Sequence, residues 1–210
     1  GYDIIVGKFN TVGNLLASSI VGGTADDCVN FNIAWTGAGS YGTTKFNYTD
    51  DGRSEIILDN NSNVYVAACT KSTNFPTVAP YQAAFGGVQD AVVFKMNANL
   101  TGLTFSTYLG GAGTDAAYGL KLDNSNNVYV TGGTTGSFPT TAGVLYPAYQ
   151  GGLTDAFIAV LSANGSSLLR STYLGTAAYD QAYLIEIDAS GDLYVYGQTQ
   201  GNYPTTAGVY

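Results

Sequence analysis

The chain repeats itself. Asp90-Ala-Val-Val-Phe-Lys-Met-Asn97 and Asp155-Ala-Phe-Ile-Ala-Val-Leu-Ser162 are versions of one octet set 65 residues apart, and Asp3-Ile-Ile-Val-Gly-Lys-Phe-Asn10 is a third. Repetition at a fixed period constrains the fold because a unit too small to bury its own apolar surface must stack on its neighbours. Three further blocks recur in the same order. Phe105-Ser-Thr-Tyr-Leu-Gly-Gly111 matches Arg170-Ser-Thr-Tyr-Leu-Gly175, with Ala17-Ser-Ser-Ile-Val-Gly-Gly23 as the divergent first version. Next come Ile56 to Val66, Leu120 to Val130 and Ile185 to Val195, each with two apolar runs about a polar Asp/Asn/Ser/Gly turn, the signature of a hairpin. Each copy closes on a proline loop, Asn74-Phe-Pro-Thr77, Ser137-Phe-Pro-Thr140 or Asn202-Tyr-Pro-Thr205, where proline removes a ladder donor and keeps its predecessor extended.

Four strands and a loop per copy make a β-propeller blade, a small twisted sheet that buries both faces only between others. The expected fold is therefore all-β: three tandem four-stranded antiparallel blades. Copy 1 spans 1–89, with an inserted β-hairpin at about 28–55; copy 2 spans 90–154 and copy 3 spans 155–210. Three blades are fewer than the four to eight that close a ring, so other blades of a parent chain, or other copies, are the expected partners that complete it.

Composition agrees. Seventeen Tyr, nine Phe and 28 Gly, with a charged fraction of only 10%, suit strands and turns rather than exposed helices. A formal charge of −8 repels phosphate backbones and anionic lipid, so nucleic acid is not an expected partner. No apolar run is long enough for a membrane span. The low Lys content, the abundant Asn, Thr, Ser and Gly, and the acidic balance favour an extracellular or cell-surface location.

These residues resemble the bacterial β-propeller repeat family SBBP, whose units read D-A-F-v-a-K-l-n, S-T-Y-L-G-G, D-x-x-G-N-v-Y-V-t-G and F-P-T-T. Asp90 to Thr141 and Asp155 to Thr206 carry the closest likeness, whereas the first copy loses the Tyr-Leu-Gly-Gly block. The resemblance implies a place in a large exported bacterial surface protein rather than an activity.

Catalytic chemistry has little to work with. The chain has no histidine, which removes Ser-His-Asp and Cys-His nucleophiles and the commonest transition-metal ligand. A glycosidase needs only two carboxylates, but Asp3, Asp90 and Asp155 share one repeat position, Asp27, Asp115 and Asp180 a second, and Asp59, Asp123 and Asp188 a third. Side chains that recur in every copy read as turn caps. Asp50, Asp51, Arg53 and Glu55 form the one charged cluster outside the repeat, and they read as a solvated loop. No catalytic residue, metal site or cofactor is expected. Calcium is the one ion the hairpins at Asp59, Asp123 and Asp188 could attract, since oxygen side chains alternate there, but these loops lack the bidentate Glu that completes such a site.

The first copy differs from the others. Asp27 and Asp59 stand 32 apart where Asp115 and Asp123 stand 8 apart, an excess of 24 residues that includes Trp35, Tyr41, Phe46 and Tyr48. These four aromatics are the candidate ligand surface, with Tyr81, Tyr146 and Tyr149 as further exposed aromatics. Tyr65, Tyr129 and Tyr194 recur in each copy and are expected between blades. Cys28 and Cys69 align with Ala116 and Gly133, opposite positions of a hairpin, and are expected to form a disulfide worth about 2 to 4 kcal/mol. The leading functional expectation is a non-catalytic extracellular structural or adhesive module of a larger bacterial surface protein. A carbohydrate-binding module using exposed aromatics is the alternative, and a glycan hydrolase or lyase the third; a glycan or a surface protein would then be the partner.

Overall fold

Each hairpin is shaped by one kind of turn. Asp59 Oδ1 accepts the N–H groups of Asn61 and Asn63, both at 2.9 Å, the Ser62 N–H returns to the Asp59 carbonyl, and Ser62 takes φ 61°. Asp123 and Asp188 build the same turn with Asn126 at φ 62° and Gly191 at φ 89°, and Asn10 and Asn97 use their amide oxygens likewise. Asx side chains favour such turns because they satisfy the backbone donors that the reversal exposes.

The structure, a computed structural model, describes residues 1–28 and 53–208. Among the described residues twelve strands run in chain order: β1 (Ile4–Phe9), β2 (Leu15–Val21), β3 (Glu55–Leu58), β4 (Val64–Thr70), β5 (Asp90–Met96), β6 (Leu103–Leu109), β7 (Asp115–Leu122), β8 (Val128–Thr134), β9 (Asp155–Leu161), β10 (Leu168–Leu174), β11 (Asp180–Ile187) and β12 (Leu193–Thr199). The fold is all-β and its sheets are antiparallel.

The sheets are not the sequence copies. They are β1-β2, β3-β4-β5-β6, β7-β8-β9-β10 and β11-β12. Each four-stranded sheet joins the last two strands of one copy to the first two of the next, so the blades span 55–109 and 115–174 rather than 90–154. The reason is the β4–β5 and β8–β9 ladders, Val64↔Met96 through Thr70↔Asp90 and Val128↔Leu161 through Thr134↔Asp155. The proline loop brings the chain back beside the strand it has just left, whereas the short Gly110–Thr114 link carries it into the next sheet.

The four-stranded sheet β3-β4-β5-β6 buries both faces. On β4, Val64, Val66 and Ala68 point to a core shared with Ile4, Val6 and Val21, while Tyr65 and Ala67 point to a second core shared with Val128, Val130 and Phe157. The alternation of a strand thus serves two cores, which is why Val64–Thr70 is buried along its whole length. The strands β3, β7 and β11 open successive sheets and pack against one another, β7 on β3 and β11 on β7. The consensus Tyr of β6 and β10 locks the preceding proline loop: Tyr108 Oη accepts the Phe75 N–H at 2.8 Å and donates to the Ser72 carbonyl at 2.8 Å. Tyr173 does the same for Phe138 and Gly136.

Candidate functional site

The recurrent aspartates are loop clasps. Asp90 Oδ2 accepts the Gly86 N–H at 2.8 Å and the Gln82 amide at 3.0 Å, Asp115 Oδ2 the Gly111 N–H at 2.8 Å, and Asp180 Oδ2 the Thr176 N–H at 2.6 Å. Asp27 accepts from Gly23, Ser72 and Thr70. All four are buried, and the Oδ1 atoms of Asp90, Asp115, Asp155 and Asp180 have no hydrogen-bond partner among the described residues. A methyl group on Gly110 would lie 2.6 Å from Asp115 Oδ2 and 2.8 Å from Asp90 Oδ1, so the two carboxyls close on that glycine from two sheets. Burial pushes Asp90 up to about 6 and Asp115 up to about 7, the latter helped by the neighbouring Asp90 charge; burial, with Asp180 adding to it, lifts Asp155 to about 6.

The turn aspartates Asp59, Asp123 and Asp188 already spend their oxygens on protein donors. Asp59 Oδ2 takes the Asn63 amide at 2.9 Å, and Lys95 Nζ sits 3.2 Å from it while also lying 4.7 Å over the Tyr65 ring. Burial opposes the Asp59 charge, but the Asn63, Lys95 and Asn61 donors outweigh it and bring the group down to about 2. An ammonium therefore occupies the side of Asp59 that a cation would need. Among the described residues no group of three or more Cys, Asp or Glu side chains converges on a metal position.

Cys28 and Cys69 are not joined by a disulfide, so the expected bridge is corrected. The register was right: Asp27 pairs Thr70, and the Cys28 N–H donates to the Cys69 carbonyl at 2.7 Å. The side chains diverge because Cys28 adopts φ 63° and turns its sulfur to Ser54 Oγ at 3.1 Å and the Val64 core, whereas Cys69 packs with Ala116, Tyr118 and Tyr183.

Trp35, Tyr41, Phe46 and Tyr48, with most of the expected hairpin at 28–55, lie outside the described residues. Of the other aromatics, Tyr81, Tyr146 and Tyr149 are half-buried against the core rather than presented to solvent, and burial pushes the Tyr149 hydroxyl up to about 12. Tyr65 is fully buried between sheets and Tyr129 half-buried, while Tyr194 on β12 is exposed.

The arrangement with most scope for recognition lies along β3, β7 and β11. Arg53, placed just before β3, stacks 4.1 Å over the Tyr183 ring, which is 5.8 Å from Tyr118, and Gln181 Nε2 donates to Tyr118 Oη at 3.4 Å. Glu55 accepts the Leu120 N–H, and Lys121 bridges to Glu186 at 2.7 Å. Burial raises the Glu55 carboxyl, the Leu120 N–H and Lys121 lower it, and Glu186 raises it again. Arg53, Glu55, Lys121 and Glu186 thus form a mixed-charge row where successive sheets meet, able to offer charge-assisted hydrogen bonds to a polar ligand. Sequence reasoning placed Arg53 and Glu55 in a solvated loop and passed over the other two; the available signal was charge on strands of a chain with so little of it.

Residues 104–139 match a family model described as SBBP, a beta-propeller repeat. No curated protein matches the chain. The matched segment runs from β6 through the Gly110–Gly111 link, the β7–β8 hairpin and the Phe138 loop, so it crosses the junction of two sheets and contains the clasp built on Asp115. Residues 104–139 are thus similar to an SBBP β-propeller repeat, and the four-stranded antiparallel sheets that they bridge are those of a β-propeller module.

Proposed function

We propose that the module is a non-catalytic, extracellular structural or adhesive part of a larger bacterial surface protein. The observation that carries this reading is the use made of the acids. Eight of the nine repeat-position aspartates, all but Asp3, hold loops and turns together through their own hydrogen bonds, and Glu55 and Glu186 are engaged with Leu120 and Lys121. Repetition of stabilising contacts serves a rigid spacer that displays surface, whereas catalysis needs one set of poised groups. Tyr81, Tyr146 and Tyr149, the aromatics expected to stack on sugar, are half-buried against the core, which ranks adhesion above a carbohydrate-binding module.

Two measurements test this. Antibody raised against the chain should label intact producing cells, and protease added outside those cells should remove the label. Purified protein incubated with polysaccharide, ester and peptide panels should release no product. Label confined to the cytosol, or turnover abolished by Glu55→Gln, would overturn the reading.

A further inference from the structure

The first residues of β5, β7, β9 and β11 are all aspartates, and they meet in pairs where one sheet adjoins the next. Asp90 and Asp115 face each other across Gly110, where a methyl group would stand 2.8 Å from Asp90 Oδ1 and 2.6 Å from Asp115 Oδ2. Asp155 and Asp180 repeat the arrangement one sheet further on, with Asp155 Oδ1 2.5 Å from the same point on Gly175 and the Asp180 charge acting on Asp155. We propose that each pair holds a calcium ion between the sheets, so that the chain carries two calcium sites, one at Asp90 and Asp115 and one at Asp155 and Asp180.

Three observations carry the proposal. First, all four carboxyls are buried, and in each of them Oδ1 has no hydrogen-bond partner among the described residues. A carboxylate oxygen taken out of water needs a donor, a counter-charge or a metal in return. The neighbouring charge at these junctions is another carboxyl, Asp90 for Asp115 and Asp180 for Asp155, while Lys95 and Lys121 on the same sheets are engaged with Asp59 and Glu186. Second, the equivalent pair in the first copy shows how the protein alone satisfies such a junction. Asp3 and Asp27 flank Gly22 in the same way, but Asp3 is exposed and both oxygens of Asp27 are used. Asp27 Oδ1 accepts the Thr70 hydroxyl, and Oδ2 accepts the Gly23 N–H at 2.7 Å and the Ser72 hydroxyl at 3.1 Å. Ser72 corresponds to Gly136 and Gly201, because the N–H of each donates to the hydroxyl of the threonine two residues earlier, Thr70, Thr134 or Thr199. The two junctions with orphaned oxygens are thus the two that lack the serine donor. Third, the groups that converge are oxygen donors out of contact with solvent, with the Thr134 hydroxyl beside Asp115 as a neutral member. Calcium accepts about six to eight oxygens at roughly 2.3–2.6 Å in flexible arrangements, whereas magnesium keeps its waters and suits a buried site poorly. Zinc and copper favour nitrogen and sulfur donors. Two carboxylates also balance the charge of one divalent ion, which leaves the buried site neutral. In protein stripped of metal, burial favours a proton on the pair in the ion's stead.

Calcium binding to the full 210-residue chain, stripped with a chelator and dialysed to pH 7.5, tests the assignment. Equilibrium dialysis should find two ions per chain, and saturating calcium should raise Tm by at least about 5 °C while magnesium at the same concentration moves it by less than about 2 °C. Asp115→Asn and Asp180→Asn should each remove one ion, and Asp188→Asn, at a hairpin turn, should remove neither. Circular dichroism checks that each variant keeps its strands. Gly136→Ser supplies a variant that leaves every carboxyl in place. It returns to the Asp115 junction the hydroxyl that Ser72 gives Asp27, at a position with nothing within 4 Å of the new carbon, and should weaken calcium binding there at least tenfold. Fewer than two ions per chain, two ions retained in Asp115→Asn, a loss that follows Asp188→Asn, or binding indifferent to Gly136→Ser would each overturn the proposal. None of these outcomes depends on whether the module is catalytic or where it resides.

Discussion

The clasp carboxyls set a pH dependence opposite to that of most acidic proteins. Asp90, Asp115 and Asp155 are buried and raised to about 6, 7 and 6, against an ordinary aspartate near 3.9 in the unfolded chain. A group that binds its proton more tightly folded than unfolded stabilises the fold fully below the unfolded value and loses that contribution as pH rises through the folded one. For Asp155 alone the difference is worth roughly 1 to 3 kcal/mol once water reaching the ionised site is allowed for. Asp90 and Asp115 share a site, so their protons leave in steps that belong to the pair, and a total of about 2 to 4 kcal/mol lost between pH 4.5 and 8 is a conservative sum. In a domain of this size that corresponds to a fall in Tm of about 4 to 16 °C. Asp59 works in the other direction: held at about 2, it contributes stability above pH 4 that disappears as pH falls toward 2. Maximum stability should therefore lie near pH 4 to 5. Thermal melts followed by circular dichroism in matched ionic strength at pH 3, 4.5, 6 and 8 measure the curve, and Asp115→Asn, a permanently neutral isostere, should flatten its upper limb. A Tm that stays level or climbs between pH 5 and 8 would refute the reasoning.

Three substitutions probe the frame. Tyr108→Phe leaves the buried Phe75 N–H and Ser72 carbonyl without their shared partner, at a cost of about 1 to 3 kcal/mol in urea unfolding. Gly110→Ala drives a methyl group into the Asp90 and Asp115 carboxylates and should cost about 1 to 3 kcal/mol, while Gly136→Ala, with nothing within 4 Å of the new carbon, should stay within about 0.5 kcal/mol in the same assay. Excising residues 29–52 joins Cys28 to Arg53 and gives the interrupted strand the same count as β7, four residues from Asp27 to Glu55 as from Asp115 to Gly119. That variant should melt cooperatively within a few degrees of the parent, and a loss of cooperative melting would show that the excised segment is needed for the fold.

What the sequence revealed was local. A turn is decided by its own few residues, so the hairpins at Asp59, Asp123 and Asp188 could be read directly, and the strand alternation around Tyr65 and Tyr129 followed. What it concealed was which strands meet across a long connection. The repeat looks the same whether a sheet begins at Asp90 or at Asp115; only the β4–β5 and β8–β9 ladders separate the two, and they span the proline loops. The cysteines show the same limit at finer scale. Opposition of residues 28 and 69 could be deduced from the hairpin register, but not the φ of 63° that turns Cys28 away. Lys121 and Glu186 fill one repeat position with opposite charges, while Glu55 stands two residues before Ile57, the first copy's equivalent, so comparing the copies hides their meeting.

The position of the 24-residue excess ties the irregular part of the chain to a regular weakness in the sheets. The β7–β8 ladder slips between Ala117 and Gly119, and the β11–β12 ladder between Ala182 and Leu184, which makes Tyr118 and Tyr183 the bulge residues. In the first copy the ladder holds Asp27 to Thr70 and resumes at Glu55 with Ala67, so the excess enters at the corresponding bulge. A bulge already lacks its ladder bonds, and added chain there removes none that the sheet relies on. The same position in the next two copies supplies Tyr118 and Tyr183, and Arg53, at the downstream edge of the excess, stacks on Tyr183. A tolerated defect of the repeat thus coincides with the place where the three copies bring their unlike side chains together, which makes the Arg53–Glu55 edge of the first copy the point where a specialised surface can be added without disturbing the clasps that hold the blades.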